Sequence, residues 1–173
     1  MSGSEPMRVA PLSAANAAPY RDLMLEAYAQ ATDAFTSTAE EREGEPLSWW
    51  VGRIGSATAP SRSFGAFQGR ELVGTVALEF AAKHKTRHSA HVIGMYVRPA
   101  ARRSGAGALL LRAVLAAART RPGVRLLRLT VTEGNEPAIR LYESVGFRAW
   151  GIEPLAIHTP AGDLGKVHMQ LRL

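Results

Sequence analysis

The chain contains no cysteine, which excludes disulfides, thiolate metal sites and a covalent acyl-cysteine intermediate. Lysine is almost as rare: Lys83, Lys85 and Lys166 stand against 18 arginines. With no lysine between Lys85 and Lys166, the Gly-x-x-x-x-Gly-Lys-Ser/Thr phosphate loop has no place to form. Long apolar runs are missing too, and nothing approaches the ~20 residues of a membrane-spanning helix. The first residues, Met-Ser-Gly-Ser-Glu-Pro, lack the basic and apolar regions of a signal peptide. A cytoplasmic protein away from membranes is expected. Aromatic residues make up only 7% and do not interleave with the arginines, which run from Arg8 to Arg172. Although the net charge is +6, this scatter argues against a dedicated nucleic-acid surface.

What remains is ordinary globular composition. The 173 residues, 46% of them hydrophobic, are enough for one domain, residues 1–173, with a proper core. Patterning predicts a strand over Met7–Pro11 and a helix over Ala17–Ala31, with Tyr20, Leu23, Met24, Ala27 and Tyr28 on one stripe. A break follows at Asp33-Ala34-Phe35. Thr38-Ala-Glu-Glu41 is a capping-box pattern, and the acids at 40, 41, 43 and 45 read as a solvated helix start. Leu47–Ile54 is a short helix carrying Trp49 and Trp50. Ser63–Gln68 and Glu71–Ala82 form a hairpin about Gly69-Arg70, with Val73, Val76, Leu78 and Phe80 suited to a half-buried strand. A strand over His88–Val97, a helix over Ala106–Arg119 and a strand over Val124–Thr132 make a crossover unit with parallel strands. Glu136–Val145 is a short helix capped by Asn135. A hairpin of Phe147–His158 and Gly165–Leu173 closes the chain. The order β-α-α-β-β-β-α-β-α-β-β is that of an α+β domain around a central mixed sheet.

Two segments carry chemistry. The apolar strand ending at Val97 leads into Arg-Pro-Ala-Ala-Arg-Arg-Ser-Gly-Ala-Gly and then a helix. Free amides at a helix start make an anion site. Arg102 and Arg103 add charge there, while Gly105 and Gly107 lack side chains that would block a phosphate. A dinucleotide fingerprint fails, because its third small residue is Leu110 and the nearest downstream acid is Glu133. The second segment, residues 135–147, reads Asn-Glu-Pro-Ala-Ile-Arg-Leu-Tyr-Glu-Ser-Val-Gly-Phe. On packing grounds alone, Ala138, Ile139, Leu141 and Val145 are core positions.

Taken together, Arg102-x-x-Gly105-x-Gly107 and Asn135-x-x-Ala-x-x-Leu-Tyr142-x-x-x-Gly-Phe147 resemble the signatures of the GCN5-related N-acetyltransferases, the GNAT family. The resemblance covers roughly residues 60–158, with Arg103-Ser104 departing from the glycine that commonly follows the first arginine. It implies a single domain whose mixed, mostly antiparallel sheet splays at two parallel strands and is flanked by helices. It also implies acetyl-CoA as co-substrate, no metal, and direct transfer to the amine of a small molecule or peptide. A non-catalytic CoA-binding module with the same fold is the alternative. The backbone of Arg103, Ser104, Gly105, Ala106 and Gly107, with the Arg102 side chain, would hold the pyrophosphate, assisted by Asn135. Main-chain groups of Met95, Tyr96 and Val97 would meet pantetheine and the thioester oxygen, and Tyr142 would protonate the thiolate. His91 is the expected base, with Glu79 or water as alternatives. The acceptor pocket is expected from Tyr28–Phe35, Trp49, Trp50 and the closing hairpin. A homodimer is compatible with the reading.

Overall fold

The computed structural model describes residues 5–173. Seven strands form one open sheet: β1 (Met7–Pro11), β2 (Ser61–Gln68), β3 (Glu71–Phe80), β4 (Ser89–Val97), β5 (Leu126–Thr132), β6 (Arg148–Thr159) and β7 (Gly162–Arg172). Their spatial order is β1-β2-β3-β4-β5-β7-β6. Every neighbouring pair is antiparallel except β4 with β5. The helices are α1 (Ala17–Gln30), α2 (Ala39–Arg42), α3 (Leu47–Ile54), α4 (Ala106–Thr120) and α5 (Glu136–Ser144). This is the α+β domain the element order predicts, with β4 and β5 parallel because α4 returns the chain to the edge where β4 began.

Two apolar clusters lie on opposite faces of the sheet. On one face, Leu110, Leu111 and Val114 of α4 and Tyr142 of α5 pack on Val76, Leu78, Val92, Leu127 and Leu129. On the other, Tyr20, Leu23 and Met24 of α1 with Trp50 and Ile54 of α3 pack on Phe67, Leu72 and Tyr96. The central strand β3 therefore departs from the half-buried pattern. Leu72 through Leu78 are all buried, since helices cover both of its faces, as in a sandwiched strand. The closing hairpin is also tighter than predicted. β7 begins at Gly162, leaving Pro160 and Ala161 as its turn.

Local signals hold where they are self-contained. Glu41 N–H donates to Thr38 Oγ1 at 3.3 Å and Glu41 Oε2 accepts from Thr38 N–H at 3.0 Å, the reciprocal capping box. Glu45 pairs with Arg42 at 3.5 Å, so much of the acidic cluster is accounted for by the start and end of α2. The helices leave open the face of β5 and β7 that carries Arg128, Thr130, His168 and Gln170, and they bury no residue of β6.

Candidate active site

Parallel strands β4 and β5 pair over only three residues, Ser89 with Leu126, Ala90 with Leu127 and His91 with Arg128. Beyond them the strands separate. The cause lies in β4. Its register against β3 shifts between Ala77 and Thr75, opposite Ile93 and Tyr96, so β4 carries one extra residue there. Gly94 takes φ +62° within this bulge, a left-handed conformation that glycine adopts without steric cost. A bulge bends its strand, and here it turns β4 away from β5. The result is a slot whose β4 wall has unpaired main chain. Tyr96 pairs with Thr75, and Arg98 N–H donates to Val73 carbonyl at 2.8 Å. By antiparallel alternation the N–H and C=O of Val97 point into the slot. The Val97 carbonyl is occupied by Arg102 Nε at 3.0 Å, which leaves its N–H as the free donor.

The mouth of the slot is the turn before α4. Arg103 (φ +62°) and Gly105 (φ +85°) are both left-handed, and this curls the chain so that successive amides converge. The amides of Arg103, Ser104, Gly105 and Gly107 donate to no acceptor among the described residues. Ser104 Oγ donates to Ala101 carbonyl at 2.6 Å and braces the turn. A cradle of unused amides at a helix start fits a pyrophosphate. The two glycines serve different ends. A Cβ on Gly105 would meet nothing within 4 Å, whereas one on Gly107 would lie 2.9 Å from Leu141 Cδ2 and 3.4 Å from Met95 Cε. Gly107 thus lets α4 approach α5 and β4 closely. Ala106 is buried, so only its backbone is available. The Arg102 guanidinium sits 5.9 Å from the Tyr96 ring centroid, half committed to the protein. The Tyr96 side chain points to the opposite face, where its hydroxyl donates to Glu26 at 3.0 Å and burial raises its pKa.

Tyr142 lies on α5, 5.9 Å from Phe147 and edge-on to it. Burial alone pushes its pKa up to about 12. Among the described residues its hydroxyl has no hydrogen-bonding partner, and the only sealed, unpartnered polar side-chain atoms are Arg42 Nε and Trp50 Nε1. The Tyr142 hydroxyl therefore retains contact with accessible space. Asn135 caps α5, its Oδ1 accepting from Ala138 N–H at 3.4 Å, which leaves the amide nitrogen of its side chain for other partners.

His91 stands on the opposite face from Tyr142. It is the last β4 residue paired with β5, it is exposed, and its cross-strand neighbours are Glu79 and Arg128. Two sites expected to line an acceptor pocket do not. Trp50 is fully buried at 0% exposure, and Tyr28 is buried against Phe35. Trp49 is held by the guanidinium groups of Arg42 and Arg53. Phe35 packs beside Tyr96, with ring centroids 6.5 Å apart, and the Thr132 hydroxyl donates to the Asp33 carbonyl, tying this loop to the end of β5. The sequence reading missed one group on this face. His168 Nε2 and Glu153 Oε2 lie 3.1 Å apart, and the exposed Trp150 ring is 5.2 Å from the His168 ring. Strand alternation across the hairpin could have found the pair, but only with the register in hand. Among the described residues no cluster of three or more metal-ligating side chains occurs.

A slot between parallel strands, opened by a bulge and headed by a helix-start anion cradle, defines a CoA-dependent acyltransferase. A family model described as the acetyltransferase (GNAT) family matches residues 22–147, and the chain belongs to that family. It is an acetyl-CoA-dependent N-acetyltransferase. No curated protein matches the sequence. Among solved structures it is similar to a GNAT-family acetyltransferase from Streptococcus pneumoniae, with TM-score 0.81, 19% identity, and 96% of this chain and 99% of that one covered. It is also similar to a GCN5-related N-acetyltransferase from Kribbella flavida, with TM-score 0.81, 24% identity and coverage of 96% and 98%. A third is yncA from Salmonella typhimurium, solved with its cofactor acetyl-CoA, with TM-score 0.79, 21% identity and coverage of 98% and 95%. At these identities the likeness is one of fold.

Proposed function

We propose that the protein acts in the cytoplasm and transfers acetyl directly to the amine of a small molecule or peptide that enters from the His91 face. The observation that carries this is the gap beyond the three-residue β4–β5 pairing, with the anion cradle of the turn before α4 at its mouth. The amides of Arg103, Ser104, Gly105, Ala106 and Gly107 grip the pyrophosphate, and the Asn135 side-chain amide assists. Main-chain groups of Met95, Tyr96 and Val97 hold the pantetheine arm as a neighbouring strand would. The Val97 N–H steadies the thioester oxygen as charge develops on it. The amine nitrogen forms its bond to the acetyl carbon, and the carbon–sulfur bond breaks. The ammonium proton leaves to His91, Glu79 or water, and Tyr142 delivers a proton to the departing sulfur.

A phenol with a pKa of about 12 keeps its proton at every working pH. The same dry surroundings make a thiolate more basic, which narrows the gap between donor and acceptor. The decisive assay follows thiol release from acetyl-CoA across amino acids, polyamines, aminoglycosides and N-terminal peptides. Saturable, acceptor-dependent release is expected. Saturable acetyl-CoA binding with slow hydrolysis and no acceptor would favour a CoA-binding module instead.

Two substitutions probe the cofactor contacts. Arg102→Ala is expected to weaken CoA binding by only about 1–2 kcal/mol, because its guanidinium is exposed and partly spent on Val97; calorimetry reads this. Asn135→Ser retains a good N-cap but removes the side-chain amide. Thermal stability should change little, while CoA affinity falls by about 1 kcal/mol. Unchanged affinity would leave Asn135 as a cap alone.

A further inference from the structure

We infer that the end of the sheet remote from the cofactor turn is a second anion site, built to take the phosphodiester backbone of single-stranded RNA. The charge distribution points there first. Between Phe80 and Thr132 the chain has eleven of its 21 lysines and arginines and none of its 15 acids. The fold sends Arg98, Arg102 and Arg103 to the cofactor end. Lys83, Lys85, Arg87, Arg119, Arg121 and Arg125 go to the other end, in the β3–β4 loop and around the α4–β5 turn. None of these six makes an ion pair among the described residues. Like charges gathered without counter-ions repel one another, and an anion relieves that cost.

Shape is the second observation. Two clefts flank the Arg121-Pro122-Gly123 turn. One, of about 530 Å³, is lined by His84, Lys85, Arg87, His88, Gly123 and Arg125. The other, of about 360 Å³, contains Arg62, Phe80 and Arg121. Backbone hydrogen bonds and cation–ring contacts tie their walls together. Arg87 N–H donates to Lys83 carbonyl at 2.9 Å, and Arg125 N–H donates to His88 carbonyl at 2.8 Å, joining the loop to the turn. The Arg121 guanidinium lies 4.1 Å from the Phe80 ring centroid, and Arg62 lies 5.1 Å from that of Phe64. Such planar groups offer stacking surfaces to unpaired bases, while the cationic cleft follows the backbone. A membrane fits less well. The exposed large apolar residues, Leu47, Val51, Trp150, Ile152 and Leu155, lie outside both clefts, so among the described residues the basic end offers no large exposed apolar side chain to insert.

The test is fluorescence anisotropy of a labelled, mixed-sequence single-stranded RNA of about ten nucleotides, within the site sizes of such proteins, titrated with the intact protein saturated with acetyl-CoA. Binding is expected to persist under saturation. It should weaken roughly 10- to 100-fold between about 50 and about 200 mM salt, as for a few neutralised phosphates. The double variant Arg87→Glu, Arg125→Glu should lose at least about tenfold in affinity, while Arg112→Glu, Arg140→Glu, with the same change in net charge, should lose less than about threefold. Lys85→Glu, in an exposed loop, supplies an independent local variant, and retained acetyl-CoA binding shows that each variant is folded. The inference is overturned by no binding at low salt, by equal losses in both double variants, or by displacement of RNA with acetyl-CoA. Sedimentation with phosphatidylglycerol vesicles in place of RNA binding would also overturn it.

Discussion

Gly105→Asp is expected to abolish measurable CoA binding, a loss of at least about a hundredfold, while the fold survives. The position separates the two effects. A side chain there meets open space, with nothing within 4 Å of its Cβ. Its φ of +85° is one that aspartate tolerates better than most residues, at a cost of about 1 kcal/mol. The new carboxylate lies beside the free amides of Arg103, Ser104 and Gly107, where it competes for their hydrogen bonds and repels a pyrophosphate. Two lost charge-assisted hydrogen bonds at roughly 1.5–3 kcal/mol each already reach the stated loss. Gly107 is a poorer position for this experiment, since its Cβ would press on Leu141 at 2.9 Å and mix packing with binding. Calorimetry with acetyl-CoA and a thermal melt read the two effects separately. A folded Gly105→Asp protein with ordinary CoA affinity would place the cofactor elsewhere.

Tyr142→Phe is expected to lower turnover by roughly 10- to 1000-fold with little change in acetyl-CoA affinity. The ring is buried and packs on Phe147, and phenylalanine preserves that packing. Because the hydroxyl has no hydrogen-bonding partner among the described residues, its removal should not cost stability. The wild type carries one further signature. Tyr142 has a pKa of about 12 in the folded protein, above the free value of about 10. Its contribution to stability is constant below pH ~10 and is lost as pH rises toward ~12, where the unfolded chain ionises and the native ring resists. The phenylalanine variant loses only that share of the alkaline decline, because Tyr20, Tyr28 and Tyr96, which burial also raises, keep theirs. The rate loss should shrink with thioesters whose thiols leave more readily, since those demand less proton donation. Full turnover by Tyr142→Phe with a slow-leaving thiol would reduce Tyr142 to a packing residue.

The parts legible in the sequence are those written in consecutive residues. Arg102–Gly107 spells a helix-start turn through its glycines and arginines, and Asn135–Phe147 spells a capped, amphipathic helix ending at Gly146. The Thr38–Glu41 capping box reads the same way. Each is held by contacts within a few residues, so little else is needed to specify it. The sequence points to both Trp49 and Trp50 as pocket residues, because an aromatic pair on a short helix does not say which ring turns inward. That choice belongs to α1, whose Tyr20 packs edge-on at 6.0 Å. The burial of β3 on both faces was hidden for a similar reason. One strand's periodicity carries no information about whether a second layer of helices will cover it.

By itself, the sequence determined the order of elements, the parallel β4–β5 crossover and the two local signatures that name the family, because hydrophobic periodicity and turn chemistry act at short range. The tertiary structure decided where strands part and which charges meet. The slot arises from a one-residue register shift at Gly94, visible only when β4 is laid against β3. His168, Glu153 and Trp150 come together through the register of the β6–β7 hairpin, which shifts between Ala149 and Gly151 and again between Glu153 and Ile157. Seven of the 18 arginines gather at two ends of one sheet: Arg98, Arg102 and Arg103 at one, Arg87, Arg119, Arg121 and Arg125 at the other. Charge acts through distance in space, over about 8–10 Å in physiological salt, and that distance is set by the fold rather than by separation along the chain.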